Sequence, residues 1–175
     1  MKVVGVFGGY RPRRGEPEYE IAHDLGRRIA AAGWTLLNGG YGGTMEAGAR
    51  GAREAGGHVI AVTLAAFTRG HNALSHETHC AADLWQRIQW MLDKSDAYIA
   101  LPGNTGTLAE VAMTWESLFK ELMPPRPLIL LTDFWRPLYD MMVRPHAGQA
   151  ACGGLARIEP DAACAVEFLR RHWKG

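Results

Sequence analysis

Short, nearly continuous apolar runs recur along this chain, each followed by a longer stretch with helical spacing. The runs are Lys2–Phe7, Trp34–Asn38, His58–Val62, Asp96–Leu101 and Pro127–Thr132, with a weaker one at Leu155–Ile158. Strands of an antiparallel sheet with one wet face alternate apolar and polar residues, whereas these do not. They read as parallel strands covered on both faces. The intervening segments, at about 17–32, 44–55, 81–93, 107–122, 134–144 and 160–172, are read as helices. Such alternation predicts an α/β chain: a Rossmann-like open parallel sheet with helices on both faces. Its 175 residues suit one compact domain over 1–175. The longest irregular stretch, Thr63 to about Cys80, has the length of a loop that covers a site.

Composition removes several classes of function. Lys+Arg 19 against Asp+Glu 18 leaves a net charge of +1, so no basic footprint for nucleic acid or an anionic membrane is expected. No apolar run approaches the ~20 residues of a membrane span, and the short apolar start is no signal peptide. Cys80, Cys152 and Cys164 are scattered and odd in number, which argues against a disulfide framework and for a reducing, cytoplasmic setting.

Ligands of open parallel sheets sit beyond the carboxyl ends of the strands, where loops feed helix N-termini. Three such loops bear glycine: Gly8-Gly9-Tyr10, Gly39-Gly40-Tyr41-Gly42-Gly43-Thr44 and Pro102-Gly103-Asn104-Thr105-Gly106-Thr107. Glycine lets the backbone approach a ligand, and the free N–H groups and dipole of the next helix attract an anion, the dipole alone by about 0.3–2 kcal/mol. A phosphate-bearing ligand is expected. The P-loop pattern is missing because no Lys follows Gly43 or Gly106, and the first turn breaks the dinucleotide pattern GxGxxG. Mononucleotide binding survives both exclusions, and no cofactor is implied.

The helix from Thr107 shows an apolar stripe at Leu108, Val111, Ala112, Trp115, Leu118, Phe119 and Leu122, stopped by Pro124 and Pro125. Glu110 falls opposite that stripe, so it faces solvent, a pocket or another subunit. Thr107 and Glu110 also have the spacing of a capping box, in which the carboxylate closes the first turn. Arg87 lies at the rim of the stripe Leu84, Ile88, Met91, where it either lines a pocket or pairs with Asp83 on a wet face.

The run Pro102-Gly103-Asn104-Thr105-Gly106-Thr107-Leu108-Ala109-Glu110 resembles the PGGxGTxxE signature of the LOG (Lonely Guy) family. These are cytokinin riboside 5′-monophosphate phosphoribohydrolases, often mislabelled as lysine decarboxylases. Gln86-Arg87, Lys94–Leu101, Gly39–Met45 and Ala55–Ile60 extend the resemblance over roughly residues 2–135. It implies a Rossmann-like homodimer that splits the N-glycosidic bond of a nucleoside 5′-monophosphate into free base and ribose 5-phosphate. By motif, Glu110 and Arg87 are the catalytic pair and Gly103, Asn104, Thr105, Gly106 and Thr107 hold the phosphate, with Gly8, Gly9, Gly42 and Gly43 beside them.

Three departures are visible: Asn104 for the second signature Gly, Ile88 for the usual Lys after the helix Arg, and Gly9, Tyr10 and Arg11 where Ser is common. They favour a plain purine nucleotide such as AMP, and make Arg11, Arg13 or Arg14 alternative phosphate ligands. The rival reading is a non-catalytic carrier or sensor of a phosphate-bearing ligand, like the molybdenum-cofactor carriers that resemble this family. His71, His76, His79 and Cys80 match no metal-site spacing and are read as part of a polar lid. A pyridoxal-phosphate enzyme is rejected because Lys2, Lys94, Lys120 and Lys174 all lie away from the ligand edge. Trp85 and Trp90 flank Arg87 and suit a dimer interface.

Overall fold

The computed structural model describes residues 1–67, 70–144 and 154–174; Cys152 lies outside them. Seven strands form one sheet: β1 (Val3–Phe7), β2 (Thr35–Asn38), β3 (Val59–Leu64), β4 (Glu77–Ala81), β5 (Ala97–Ala100), β6 (Leu128–Leu131) and β7 (Ala156–Glu159). Their order is β4-β3-β2-β1-β5-β6-β7, and every neighbouring pair is parallel. The helices are α1 (Pro17–Ala31), α2 (Thr44–Glu54), α3 (Leu84–Lys94), α4 (Thr105–Phe119), α5 (Arg136–Val143) and α6 (Ala162–Lys174).

Successive residues of a strand point to opposite faces, so the continuous apolar runs feed two cores. Val4, Val6, Leu36 and Ile99 pack with α1, α2 and α6 on one face. Phe7, Leu37, Tyr98 and Leu128 pack on the other, against Ile88 and Met91 of α3, Val111 and Trp115 of α4, and the inner side of α5. The predicted fold class is what the structure has. Chain order turns back between β1 and β5, and that switch point is where this architecture leaves a crevice.

Three expectations need correction. β4 falls inside the stretch read as loop. Of its residues, Glu77-Thr78-His79-Cys80-Ala81, only Ala81 is buried, because β4 is an edge strand with a wet outer side. No apolar run announces such a strand. The buried face of α4 is also turned from the expected stripe: it carries Thr107, Glu110, Val111, Thr114, Trp115 and Leu118, while Leu108 is exposed. Leu122 lies beyond the helix, which ends at Phe119. Finally, α3 starts at Leu84, with the Asp83 carboxylate capping it by accepting from the Gln86 N–H, so that carboxylate is not the ion-pair partner of Arg87, whose guanidinium pairs with Glu110.

Helices α1 and α2 touch backbone to backbone. A Cβ on Gly26 would overlap the carbonyl of Gly48, and one on Gly51 the carbonyl of His23. This contact seats α2, whose N-terminus carries the second glycine loop. Replacing a helical glycine by alanine gains up to ~1 kcal/mol of propensity, but forcing an atom into a filled backbone contact costs ~1–3 kcal/mol. Gly51→Ala is therefore expected to lower stability by about 1–2 kcal/mol in denaturant unfolding. An unchanged or raised midpoint would show that the two helices part freely.

Candidate active site

A cavity of about 560 Å³ opens at the carboxyl ends of β1, β2 and β5. Its walls come from all three glycine loops and from α3 and α4: Gly8, Gly9, Tyr10 and Arg11 after β1, Gly39, Tyr41, Gly42 and Met45 after β2, Asn104–Thr107 and Glu110 from α4, and Arg87 from α3. Phe67 and Gly70 of the segment after β3 complete it.

At its floor Arg87 Nη1 donates to Glu110 Oε1 at 2.9 Å. Both side chains are buried, Arg87 at 8% and Glu110 at 6% exposure. Arg87 is held from behind as well, its Nε donating to the Val62 carbonyl at 2.8 Å. Its guanidinium fits only because Gly39 lacks a side chain, since a Cβ there would overlap Arg87 Nη2 and crowd Met45 Sδ. Among the described residues no wholly buried side-chain nitrogen or oxygen is without a hydrogen bond. Glu110 Oε2 and Arg87 Nη2 make none among the described residues, and both residues line the cavity. Burial pushes the Glu110 carboxyl above its ordinary range, and the Arg87 charge and hydrogen bond only partly oppose that.

One turn before Glu110 lies the N-terminus of α4. The capping box expected from Thr107 and Glu110 does not form. Asn104 is the N-cap and its side chain makes no capping bond. The first intrahelical bond runs from the Leu108 N–H to the Asn104 carbonyl at 2.9 Å. Among the described residues the amides of Thr105, Gly106 and Thr107 have no backbone acceptor, and all three residues line the cavity; with the helix dipole such amides make a place for an anion. Nothing in the spacing distinguishes a capping box from a carboxylate claimed by another helix; only the approach of Arg87 does.

Of the residues expected at the site, Glu110, Arg87, Gly8, Gly9, Gly42, Asn104, Thr105, Gly106 and Thr107 line this cavity. Gly43 and Gly103 stand just outside it, in neighbouring grooves. Gly43, at φ 68°, lets the first two loops touch: a Cβ would overlap the Gly9 carbonyl and the Tyr10 backbone, and Thr44 N–H donates to that same carbonyl at 2.9 Å. Gly103 makes room for the Thr107 side chain. Arg11 reaches the cavity, whereas Arg13 and Arg14 line the adjoining groove.

Ile88, where a lysine was noted as usual, is buried in the core at 1% exposure. Tyr41, Met45 and Phe67 were not singled out, because single aromatic or thioether residues carry no spacing signal. The histidines of the long stretch are spread along the sheet edge: His76 stacks on His58 and His79 on Trp90. Among the described residues no three metal-binding side chains gather.

Removing one partner of a buried ion pair leaves the other charge uncompensated, at a cost of about 3–5 kcal/mol. In Arg87→Met the Glu110 carboxyl loses the group that opposes its upward shift. The native chain then keeps a proton that the unfolded chain releases, so its stability falls as pH rises above the ordinary carboxylate range and recovers on acidification. Denaturant unfolding is expected to show a larger deficit for Arg87→Met at pH 8 than at pH 5. Equal deficits would mean that Glu110 is not the group left stranded.

Known proteins resemble this chain in sequence and in fold. The model of the SLOG cluster4 family matches residues 1–138. The cytokinin riboside 5′-monophosphate phosphoribohydrolase of Rhodococcoides fascians is 37% identical over 145 residues, 78% of this chain and 72% of that protein. That of Mycobacterium tuberculosis is 37% identical over 115 residues, covering 64% of this chain and 61% of the relative. Among solved structures, the molybdenum cofactor carrier protein of Chlamydomonas reinhardtii superimposes with a TM-score of 0.77 at 25% identity over 100% of both chains. The chain belongs to the SLOG cluster4 family and is a LOG-type protein.

Proposed function

We propose that the protein is a nucleoside 5′-monophosphate phosphoribohydrolase, releasing free purine base and ribose 5-phosphate from AMP or a cytokinin-type nucleotide. The observation that carries this reading is the buried Glu110–Arg87 pair, lining a cavity one helical turn from amides without a backbone acceptor among the described residues. Relatives bearing the name of that activity support it. Residues 1–175 are read as one nucleotide-binding domain. With exposed Cys80 and partly buried Cys164 both free thiols, a reducing cytoplasm is the setting that suits it.

The 5′-phosphate sits on the amides of Thr105, Gly106 and Thr107, with Asn104 and the Gly8-Gly9 and Gly42 backbones around it. From Gly106 to Glu110 the helix rises about 6 Å, the span of a ribose. The glycosidic carbon then lies beside the carboxylate. As the C1′–N bond breaks, positive charge develops on the sugar, and Glu110 stabilises it electrostatically. A water adds to C1′ and gives its proton to Glu110 Oε2, while the base leaves with the bonding pair and takes up a proton from solvent; Glu110 then releases its proton to solvent, so that the water's OH ends on C1′ and the net proton on the base.

Burial makes that carboxylate a better proton acceptor than one in water. Arg87 holds Oε1, which fixes the carboxylate plane, and Nη2 is left for a ribose hydroxyl. The carrier alternative draws support from the full-length likeness to a molybdenum cofactor carrier protein. A carrier has no use for a buried carboxylate beside the anion site with one oxygen unbonded among the described residues, and the hydrolase reading is preferred for that reason.

A homodimer is part of the reading. Leu84 and Trp85 of α3 are 44% and 67% exposed and Leu108 of α4 is 42% exposed, on the two helices that carry the catalytic pair. A second copy of the chain covering them would also close the site.

Incubating the chain with AMP and measuring adenine tests the reaction. Glu110→Gln keeps an acceptor for Arg87, so it is expected to fold normally and to lose at least ~10²-fold in turnover. The acid limb of kcat/KM is expected above the ordinary carboxylate range. Tight AMP binding without adenine release, or an unaffected Glu110→Gln chain, would favour the carrier. For the dimer, light scattering is expected to give twice the chain mass, and Trp85→Lys to give the monomer; a wild-type monomer would refute that part.

A further inference from the structure

The ion pair keeps its geometry only if Gly39 stays where it is, because the space at its missing Cβ is the space that Arg87 Nη2 occupies. Gly39 has no place in the sheet: the ladder between β2 and β3 ends at the Asn38–Ala61 pair. What holds it is the residue before it. Asn38 closes β2 after Thr35, Leu36 and Leu37, and it is buried at 1% exposure. Its carboxamide spans the turn that follows. Oδ1 accepts from the Gly40 N–H at 2.9 Å, and Nδ2 donates to the Met45 carbonyl at 2.8 Å. The first bond is an Asx turn, a ring that contains Gly39. The second ties that ring to the first turn of α2.

Neighbouring contacts make the loop stiff at these points. Gly40, at φ 75°, packs so closely on Ala61 that a Cβ would overlap that side chain, and its carbonyl accepts from the Asn72 N–H at 2.8 Å. Met45, whose carbonyl takes the second Asn38 bond, has its Sδ against Gly39. A leucine would fill the Asn38 site without the cost of burying an amide, as Leu36 and Leu37 do just before it. What an amide adds there is the two bonds, and both end on the segment that carries Gly39 and Met45 along the cavity wall. We propose that Asn38 is a positioning residue for the catalytic pair: its carboxamide fixes Gly39 and so sets how closely the Arg87 guanidinium is held to Glu110. Its signature is electrostatic. Burial raises the Glu110 carboxyl and Arg87 draws it back. If Gly39 drifts, Arg87 is released on one side, its pull weakens, and the carboxyl titrates at a higher pH. The other ionisable side chains in the described lining are Tyr10 and Arg11 after β1 and Tyr41 after β2. Among the described residues only Arg87 forms an ion pair with Glu110. The effect on turnover rests on the hydrolase reading, whereas the effect on the Glu110 titration does not.

The test compares the wild-type chain with Asn38→Leu, which keeps the shape and loses both bonds, and with Ile29→Val, a packing change in the core on the opposite face of the sheet. The Glu110 carboxyl is titrated by carbon NMR, with Glu110→Gln identifying its signal. Asn38→Leu is expected to move the midpoint to higher pH, and Ile29→Val to leave it in place. For adenine release from AMP, kcat/KM in Asn38→Leu is expected to fall about 10-fold or more, because small misplacements at a reacting centre are costly, with its acid limb moved upward in step with the titration. Should Asn38→Leu fail to fold, Asn38→Ser, too short to reach both partners, carries the same expectation. A midpoint that stays or falls in the folded variant, or that Ile29→Val raises equally, would overturn the proposal. The hydrolase reading is scored apart: no adenine from the wild-type chain, with the Glu110 midpoint shifted as expected, would remove that reading and leave Asn38 as the residue that positions the pair.

Discussion

A guanidinium and a carboxylate lie together at the floor of the cavity, and much of the surrounding architecture is explained by what it takes to keep them there. Desolvating two such ions costs several kcal/mol each, and their attraction offsets this only when geometry and further hydrogen bonds are good. Arg87 meets those terms through Glu110 on one side and the Val62 carbonyl on the other. Gly39 leaves space for its outer nitrogen. The pair therefore needs β3, α3, α4 and the loop after β2 in register at once. A shift in any of them would strand a charge.

The same arrangement divides the cavity into regions of distinct chemistry. Uncapped amides at the start of α4 favour an anion, the ion pair leaves Glu110 Oε2 and Arg87 Nη2 unbonded among the described residues, and the described lining after β2 and β3 is mostly aromatic and apolar. Helix N-termini are ordinarily satisfied by a side-chain oxygen. Here the residue at the cap leaves its amides open, and the nearby carboxylate that could have closed the turn is committed to Arg87 instead. Both departures from local optimum have the same effect of leaving donors and an acceptor in residues that line the cavity. That coincidence separates a site from an ordinary βα turn.

The parallel sheet, its two covered faces and the ligand edge were legible because they rest on strands buried on both sides, which have to be written as apolar runs. Helix α4 was legible as a helix but not in its orientation. It carries apolar residues around more than one face, and its buried face includes Thr107, Glu110 and Thr114. Thr114 belongs there because its hydroxyl donates to the Glu110 carbonyl at 2.7 Å, a bond that period counting does not register. Strand β4 was illegible for the opposite reason, since an edge strand is held by its ladder to β3 and needs no hydrophobic side chains to declare itself. Phe67 and Tyr41 escaped notice because their pairing joins two loops far apart in sequence.

By itself, the sequence determined the layer architecture, the three glycine loops and the signature from Pro102 to Glu110, since each depends on local pattern or on residue type at fixed spacing. Tertiary structure alone decided that Glu110 turns inward rather than closing its own helix, and that Arg87 leaves the surface to meet it. It also decided that Gly43 and Gly103 shape the loops while their neighbours line the cavity. Each outcome turns on a contact between segments tens of residues apart, and the energy of such a contact is set by which charges, carbonyls and empty Cβ positions the fold brings within a few ångströms of one another.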